Sequence, residues 1–408
     1  MISTDQIKKN EASVLKTFKK EIPSVYYSDK TEKDFLAYYK NAEFFYRNNL
    51  KFPPEMFRGK KLIDFGAGTG ENTVYLAKWG ADCTLVEMND TAQTISKNIF
   101  KKYLDNFNNH RFINSSIFDF DDKSLYNTFD IVHCRGVLSH TADKEKAFSI
   151  INRYLKPGGY LIFGDPNKAG GFQNMLQRIA IYTFANNWEK MIEVSEDFFS
   201  KDIDRSQKFV NRTRNTIIFD RWVVQCQDDP SVNEVLSWFD KSNLNLYSSY
   251  PKFELPFMSD SAHHFPKFSM SDLRDTAGVL SETFWLSYKN DDHIEMPKVL
   301  KTLNNYSKTF EILTSYVSKS DLNLKINSNE FEKRLNKYLS NLNELEILDY
   351  IKENTNNLMK EALQLLKNLE SKDYQKTQTF INETKYLFKG ATGVRHVDFI
   401  GYKSNENK

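Results

Sequence analysis

Between Lys61 and about Asp165, short apolar runs alternate with stretches of helical periodicity. KLIDF, CTLVEM, RFINSSIF, DIVHCR and GYLIFGDP each read as a buried strand closed by a turn or an acidic residue. Between them, Glu71 to Trp79, Thr91 to Phe107 and Lys144 to Leu155 repeat apolar residues at helical spacing, the last halted by Pro157-Gly158-Gly159. Strands apolar on both faces and separated by helices make a parallel sheet covered on both sides. The pattern therefore predicts a doubly wound α/β core over residues 61–165.

The flanks follow other patterns. Residues 1–60 hold two helix-like pieces, expected as an N-terminal helical cap. The second is crowded with Phe35, Tyr38, Tyr39, Phe44, Phe45 and Tyr46, rings expected to pack on the sheet or, for one of them, to cover a ligand. Residues 166–230 read as a helical, more basic insertion. In 231–259, SVNEVLSWFDKS sets Val232, Val235, Leu236 and Phe239 on one helical face and LNLYSSYPKF follows as a sixth strand. From 260 to 389, Phe331, Leu335, Tyr338, Leu342 and Leu345, then Leu358, Ala362, Leu365 and Leu369, keep amphipathic spacing, so this stretch is expected as a helical insertion or lid. Residues 390–408 close the chain with a strand-like run, Val394 to Tyr402. A final strand needs a sheet to join, and it is expected to return to the edge of the first one.

Composition narrows the classes. An apolar fraction of 40% and a charged fraction of 27% over 408 residues describe a folded chain. The formal net charge of +2 is too even to gather nucleic acid or anionic lipid by charge alone. The first residues lack the apolar centre of a signal peptide, and no stretch reaches the roughly 18 apolar residues of a membrane span, so a cytoplasmic location is expected. Cys83, Cys134 and Cys226 lie far apart without metal-ligand spacing, which points to a reduced compartment and no zinc.

The strand KKLIDF runs into the turn Gly66-Ala67-Gly68-Thr69-Gly70 and then into a helix starting near Glu71. Such a turn bends sharply and leaves its backbone open to a ligand. Dinucleotide folds also carry a glycine-rich turn there, so the turn alone does not name its ligand. The spacing is GxGxG preceded by Asp64, whereas a GxGxxG fingerprint would put glycine where Glu71 stands. Glu87 closes the second strand about twenty residues on, where a carboxylate accepts from both ribose hydroxyls and repels a 2'-phosphate. An adenosine-containing ligand is expected. Asp119, after the third strand, is placed to accept from an adenine amino group while Ile117 or Phe118 packs on the ring.

In order and in register, LIDFGAGTGENTVYLAKWGA, LVEMND, FDIVHCRGVLSHT and RYLKPGGYLIFGDP resemble the successive motifs of class I S-adenosylmethionine-dependent methyltransferases. They resemble especially the branch with Gly-Val-Leu-x-His-Thr after strand four and Leu-Lys-Pro-Gly-Gly before strand five. This resemblance covers residues 60 to 165. It implies a Rossmann-like sheet of seven strands with the last antiparallel, and S-adenosyl-L-methionine as methyl donor. By the same likeness, Asp64 and the amides of Gly66, Ala67, Gly68 and Gly70 hold the amino-acid end of the donor. Glu87 binds the ribose with Met88 beside the adenine, Asp119 and Phe118 take the base, and the backbone at Cys134 and Arg135 lies near the methionine moiety. Glu87 stands where the family frequently has Asp, which keeps the charge on a longer arm.

Methyl transfer from a sulfonium is an in-line displacement, so the protein mainly aligns and desolvates the acceptor. A base is needed only where the acceptor must lose a proton. His140, in VLSHT, and Asp165, at the carboxyl end of strand five where open α/β sheets bind ligands, are the first candidates. His133 and the pair His263-His264 are others. In similar enzymes the position of His140 flanks the cofactor pocket and is often structural. Arg205, Lys208, Arg212, Arg214 and Arg221, interleaved with Phe209, Phe219 and Trp222, read either as a site for an anionic acceptor or RNA, or as a solvated helical face. Asp228-Asp229 and Asp121-Asp122 are adjacent pairs that point apart on regular structure, so no metal is expected. The expected function is methyl transfer to a small-molecule acceptor. An RNA methyltransferase using 205–221, and a non-catalytic module docking a partner protein, are the alternatives.

Overall fold

A computed structural model describes residues 2–23, 31–168, 170–209, 212–252, 296–318, 327–344, 349–388 and 396–405. At its centre lies a seven-stranded sheet in the order β3-β2-β1-β4-β5-β7-β6. The strands are β1 (Lys61–Phe65), β2 (Asp82–Val86), β3 (Arg111–Ile113), β4 (Phe129–Arg135), β5 (Leu155–Pro166), β6 (Leu244–Tyr250) and β7 (His396–Lys403). The first five pair in parallel, and β7 runs antiparallel to both β5 and β6.

Alternate residues of the central strands enter two separate cores. Leu62, Ile131, Ile162 and Ile400 face one, covered by α3 (Glu71–Lys78), α4 (Asp90–Tyr103) and the aromatic residues of α2 (Glu32–Phe44). Ile63, Val132, Leu161 and Phe399 face the other, covered by α5 (Lys144–Asn152), α6 (Phe172–Phe184), α7 (Trp188–Phe209) and α9 (Val232–Lys241). The short α8 (Arg214–Ile218) leads into a π-helical turn, Phe219–Val223, beside α6. Both sheet faces are thus dry, which is why the strands read as continuous apolar runs.

The helical region downstream consists of α10 (Met296–Ser318), α11 (Ser328–Asn343), α12 (Asp349–Glu370) and α13 (Tyr374–Glu383). Its apolar stripe joins the second core: Phe310 packs against Phe172 at 6.2 Å and Tyr374 against Phe184 at 5.2 Å between ring centroids. Leu345 and His263-His264 lie outside the described residues.

Three expectations need correction. The last strand does not take the edge of the sheet. It lies between β5 and β6, and Val397 through Gly401 are all buried, whereas β6, with its alternating burial, forms the edge. The third strand stops at Ile113, because the Asn114 side chain and Ser115 N–H turn back onto the carbonyl of Glu87. None of the six aromatic rings of the second N-terminal piece covers a ligand cavity: Phe35 stacks on Tyr103 at 3.9 Å and Tyr46 is buried below the sheet, while Phe44 is 61% exposed. Among the described residues no helix is long and apolar enough to cross a membrane.

Candidate active site

At the end of β1 the chain bends through Gly66, Gly68 and Gly70, all with positive φ. Gly68, at φ +54°, has no atom within 4 Å of where a Cβ would stand, so its outer face is open. Its N–H donates to Oε2 of Glu87 at 2.8 Å, and Asn89 N–H donates to Oε1 at 2.7 Å. The acid at the tip of β2 is thereby locked against the turn. Burial pushes its pKa up, and these N–H groups pull the other way.

A cavity of about 190 Å³ opens there, above the carboxyl ends of β1, β2 and β4. Gly66, Gly68 and Thr69 form its floor, Glu87 and Met88 one side, and Ile117 and Phe118 another. Thr69 Oγ1 is buried against this cavity without a hydrogen-bond partner among the described residues. An unpaired buried hydroxyl calls for a ligand partner. With the open face of Gly68, the acid of Glu87 and apolar walls, these residues fit an adenosine-containing molecule.

Other expected contacts lie elsewhere. The amide of Gly66 donates to Val86 and that of Gly70 to Ala67, so with Gly68 on Glu87 these turn amides are engaged within the fold. Ala67 packs toward the first core and Gly70 caps α3 against Ser96 and Phe100. Asp64 accepts from Thr73 and lies 2.7 Å from Nδ1 of His133, whose Nε2 approaches the Tyr46 hydroxyl at 3.3 Å; all three are buried away from the cavity. Cys134 lies in the second core, and Arg135 forms a two-pronged pair with Asp398 of β7, so the wall of the cavity begins only at Gly136 and Val137. Asp119 is held by Nζ of Lys8 at 2.6 Å from both oxygens and does not line the cavity. These positions follow strand alternation and long-range partners that local sequence does not reveal.

The roof was the part missed. Helix α1 (Thr4–Lys20) crosses the cavity, bringing Val14, Leu15 and Phe18 over it, with Ile22 and Pro23 beyond. It is tied down by Asn10 Nδ2 to the His140 carbonyl, Asn89 Nδ2 to the Phe18 carbonyl and Ser13 to Gln225. The available signal was the spacing of Ile7, Val14 and Phe18, one apolar stripe on an otherwise charged helix.

His140 reaches the cavity from the turn after β4. Its Nδ1 lies 3.0 Å from the carbonyl oxygen of Cys226, which only accepts, so Nδ1 carries the hydrogen and the neutral ring keeps its lone pair on Nε2. The Phe18 ring meets it edge-on at 5.3 Å. Asp165 does not face the cavity: it is 2% exposed and its carboxyl accepts from Ser139. The basic cluster is not an open anion site. Arg205 and Arg221 both pair with Asp202, Arg212 with Asp220 and Arg214 with Glu196, and the side chain of Lys208 lies outside those described.

Residues 38–202 match the family model for a methyltransferase domain. This segment is thus similar to a methyltransferase domain. The chain is 30% identical over 182 residues to the mitochondrial ubiquinone biosynthesis O-methyltransferase of Schizosaccharomyces pombe, covering 42% of this chain and 62% of that protein. Against the ubiquinone biosynthesis O-methyltransferase of Colwellia psychrerythraea it is 30% identical over 115 residues, 28% of this chain and 44% of the relative. Among solved structures, magnesium protoporphyrin IX methyltransferase from Synechocystis aligns with a TM-score of 0.33 at 10% identity, covering 60% of this chain and 87% of the other. The chain thus spans less than two thirds of the curated relatives it matches.

Proposed function

We propose that this chain transfers a methyl group from S-adenosylmethionine to a hydroxyl oxygen of a small, largely apolar acceptor without phosphate or other strong anionic groups. The observation that carries this reading is that Gly68, Glu87 and His140 line one cavity. Glu87 would bind the ribose hydroxyls, Thr69 Oγ1 a polar group of the donor, and Met88, Ile117 and Phe118 the adenine ring. S-adenosylmethionine, when bound, supplies an electrophilic methyl group. His140 Nε2 takes the proton of the acceptor hydroxyl, and Val14, Leu15 and Phe18 keep water from the reacting oxygen.

The apolar roof favours an apolar acceptor body. Glu11 and Asp220 line the cavity with Lys8 and Arg212 as their partners, and no lysine or arginine is among the described lining residues, which disfavours an anion. Pairing of the described arginines within 205–221 removes the main support for RNA. The two ubiquinone biosynthesis relatives, named as O-methyltransferases, are in keeping with an oxygen acceptor.

Calorimetry with S-adenosylmethionine tests the first half, and incubation with a panel of neutral catechols and simple amines, read by mass spectrometry, tests the second. Methyl ethers are expected. His140→Gln should lower kcat about 100-fold or more, the usual range for removal of a general base, with donor affinity unchanged. Full turnover by that variant, or methylation of the amines alone, would overturn the oxygen-acceptor reading.

A further inference from the structure

Asp165 ends β5 with a side chain that touches neither solvent nor the cavity. What it touches is the turn that carries His140. After β4, Gly136 N–H donates to the Gly164 carbonyl at 2.7 Å and the chain makes a single 3-10 turn, Leu138–His140. The first N–H groups of such a turn have no partner inside it. Asp165 caps it from the neighbouring strand: Ser139 N–H donates to Oδ2 at 3.1 Å and Ser139 Oγ–H to Oδ1 at 3.1 Å. The Ser139 carbonyl accepts from Asp228 N–H at 2.8 Å, and the next residue, His140, donates Nδ1–H to the Cys226 carbonyl. The turn is therefore held by one carboxyl group, by one short segment, residues 226–228, and by Asn10 of α1, whose Nδ2 donates to the His140 carbonyl at 2.9 Å.

We infer that Asp165 is a positioning residue: through Ser139 it holds the Leu138–His140 turn so that His140 keeps Nδ1–H on the Cys226 carbonyl and presents Nε2 to the cavity. Its role in catalysis rests on His140 being the proton acceptor proposed above. Asp165 itself is ill suited to that task. Burial, with Asp229 close by, pushes its carboxyl up to about 8, so near neutral pH it is mostly protonated and lacks the lone-pair charge a base needs. A neutral carboxyl that accepts from an N–H and exchanges a hydrogen bond with a hydroxyl is closely imitated by a carboxamide. That separates holding from chemistry.

The test compares Asp165→Asn, Asp165→Ala and Ser139→Ala in the full chain. It uses ¹⁵N-histidine NMR to read the His140 tautomer, with His140→Gln to assign the signal, alongside steady-state kinetics. Asp165→Asn is expected to keep the Nδ1–H tautomer, the pH–rate profile and kcat within about threefold. Asp165→Ala should mix the tautomers and lower kcat about 100-fold, the scale of a misplaced reacting group, with KM for S-adenosylmethionine within about twofold. Ser139→Ala, which leaves the backbone bond in place, should fall about tenfold with the same signature, and it decides the matter if Asp165→Ala does not fold. An unchanged tautomer in the alanine variants would overturn the inference, as would an Asp165→Asn enzyme as impaired as Asp165→Ala. If His140→Gln keeps full turnover, the proton-acceptor reading fails while the tautomer still decides what Asp165 holds.

Discussion

Two carboxylates at strand ends, Glu87 and Asp165, are both raised by burial, yet their surroundings assign them different work. Glu87 keeps one side on the cavity; Asp165 is closed over by the Ser139 turn and the segment that follows Cys226. The enclosure of Asp165 has a consequence for stability. Its carboxyl is raised to about 8 in the fold, against about 4 in an unfolded chain. Between those values the native state binds a proton that the unfolded state has released, so stability is full below about pH 4 and declines as pH rises toward 8. Asparagine has no proton to lose. Denaturant unfolding of Asp165→Asn should match the parent near pH 4 and exceed it at pH 9 by on the order of a few kcal/mol; parallel pH profiles for the two proteins would show that another group is responsible. At this scale the sequence was only partly legible. Glu87 could be located because its spacing from the turn is local. Asp119 could not, because Lys8, the cation that holds it, arrives from a helix more than a hundred residues away. Asp165 stands at the strand end where ligands bind in such sheets, but which residues close over it depends on a loop beyond α8.

Helix α1 shows the same limit one level up. Ile7, Val14 and Phe18 stand at helical spacing on an otherwise charged segment, but this stripe was passed over in the sequence. Which surface the stripe covers is decided by the cavity, the only described place where Val14, Leu15 and Phe18 meet Met88, Phe118 and His140 together. The ion pairs of α1, Lys8 with Asp119 and Lys19 with Asp90, are largely exposed. Exposed pairs contribute about 0–1 kcal/mol and weaken with salt. The apolar face, with Ile7 and Val14 buried and Phe18 half-buried over the cavity, gains from area removed from water, which salt does not screen. The helix should therefore be held by its apolar face. Phe18→Ala is expected to weaken S-adenosylmethionine binding about tenfold or more by calorimetry, because it opens the roof. Lys8→Ala, or a rise from 0.1 to 0.5 M salt, should change it less than about threefold. The reverse ranking would mean that charge, not packing, closes the site.

Across the whole molecule, the parallel core was legible because strands buried on both faces announce themselves, and so was the presence of a last strand. Its place was not, since an edge strand and an interior strand differ in partners that only the folded sheet supplies. Besides its ladders to β5 and β6, β7 is tied to β4 by one long-range pair. Arg135 on β4 reaches across β5 to Asp398 on β7, with Nε and Nη2 at 2.6 and 3.1 Å from the two carboxylate oxygens. In register, Arg135 faces Gly164 and Gly164 faces Asp398, so the strand crossed by the pair carries no side chain at that point. A methyl group on Gly164 would collide with the Asp398 carboxylate and come within 3.0 Å of His396 Nε2. The guanidinium also holds the Asp398 carboxyl well below its usual range against the effect of burial, so this pair's contribution is present at neutral pH and is lost on acidification. Asp398→Ala leaves a mostly buried guanidinium without its partner and should destabilise the fold by about 3 kcal/mol or more. Gly164→Ala should cost about 1–3 kcal/mol by overpacking, and more where the displaced pair is lost. If the two losses share one cause, they are not additive: in the Asp398→Ala background the carboxylate that the added methyl would strike is gone and only the half-exposed His396 ring stays near it, so the double variant should unfold at a denaturant concentration close to that of Asp398→Ala alone. Additive losses in urea would show that Gly164 is required by its own backbone and not by the pair that passes over it.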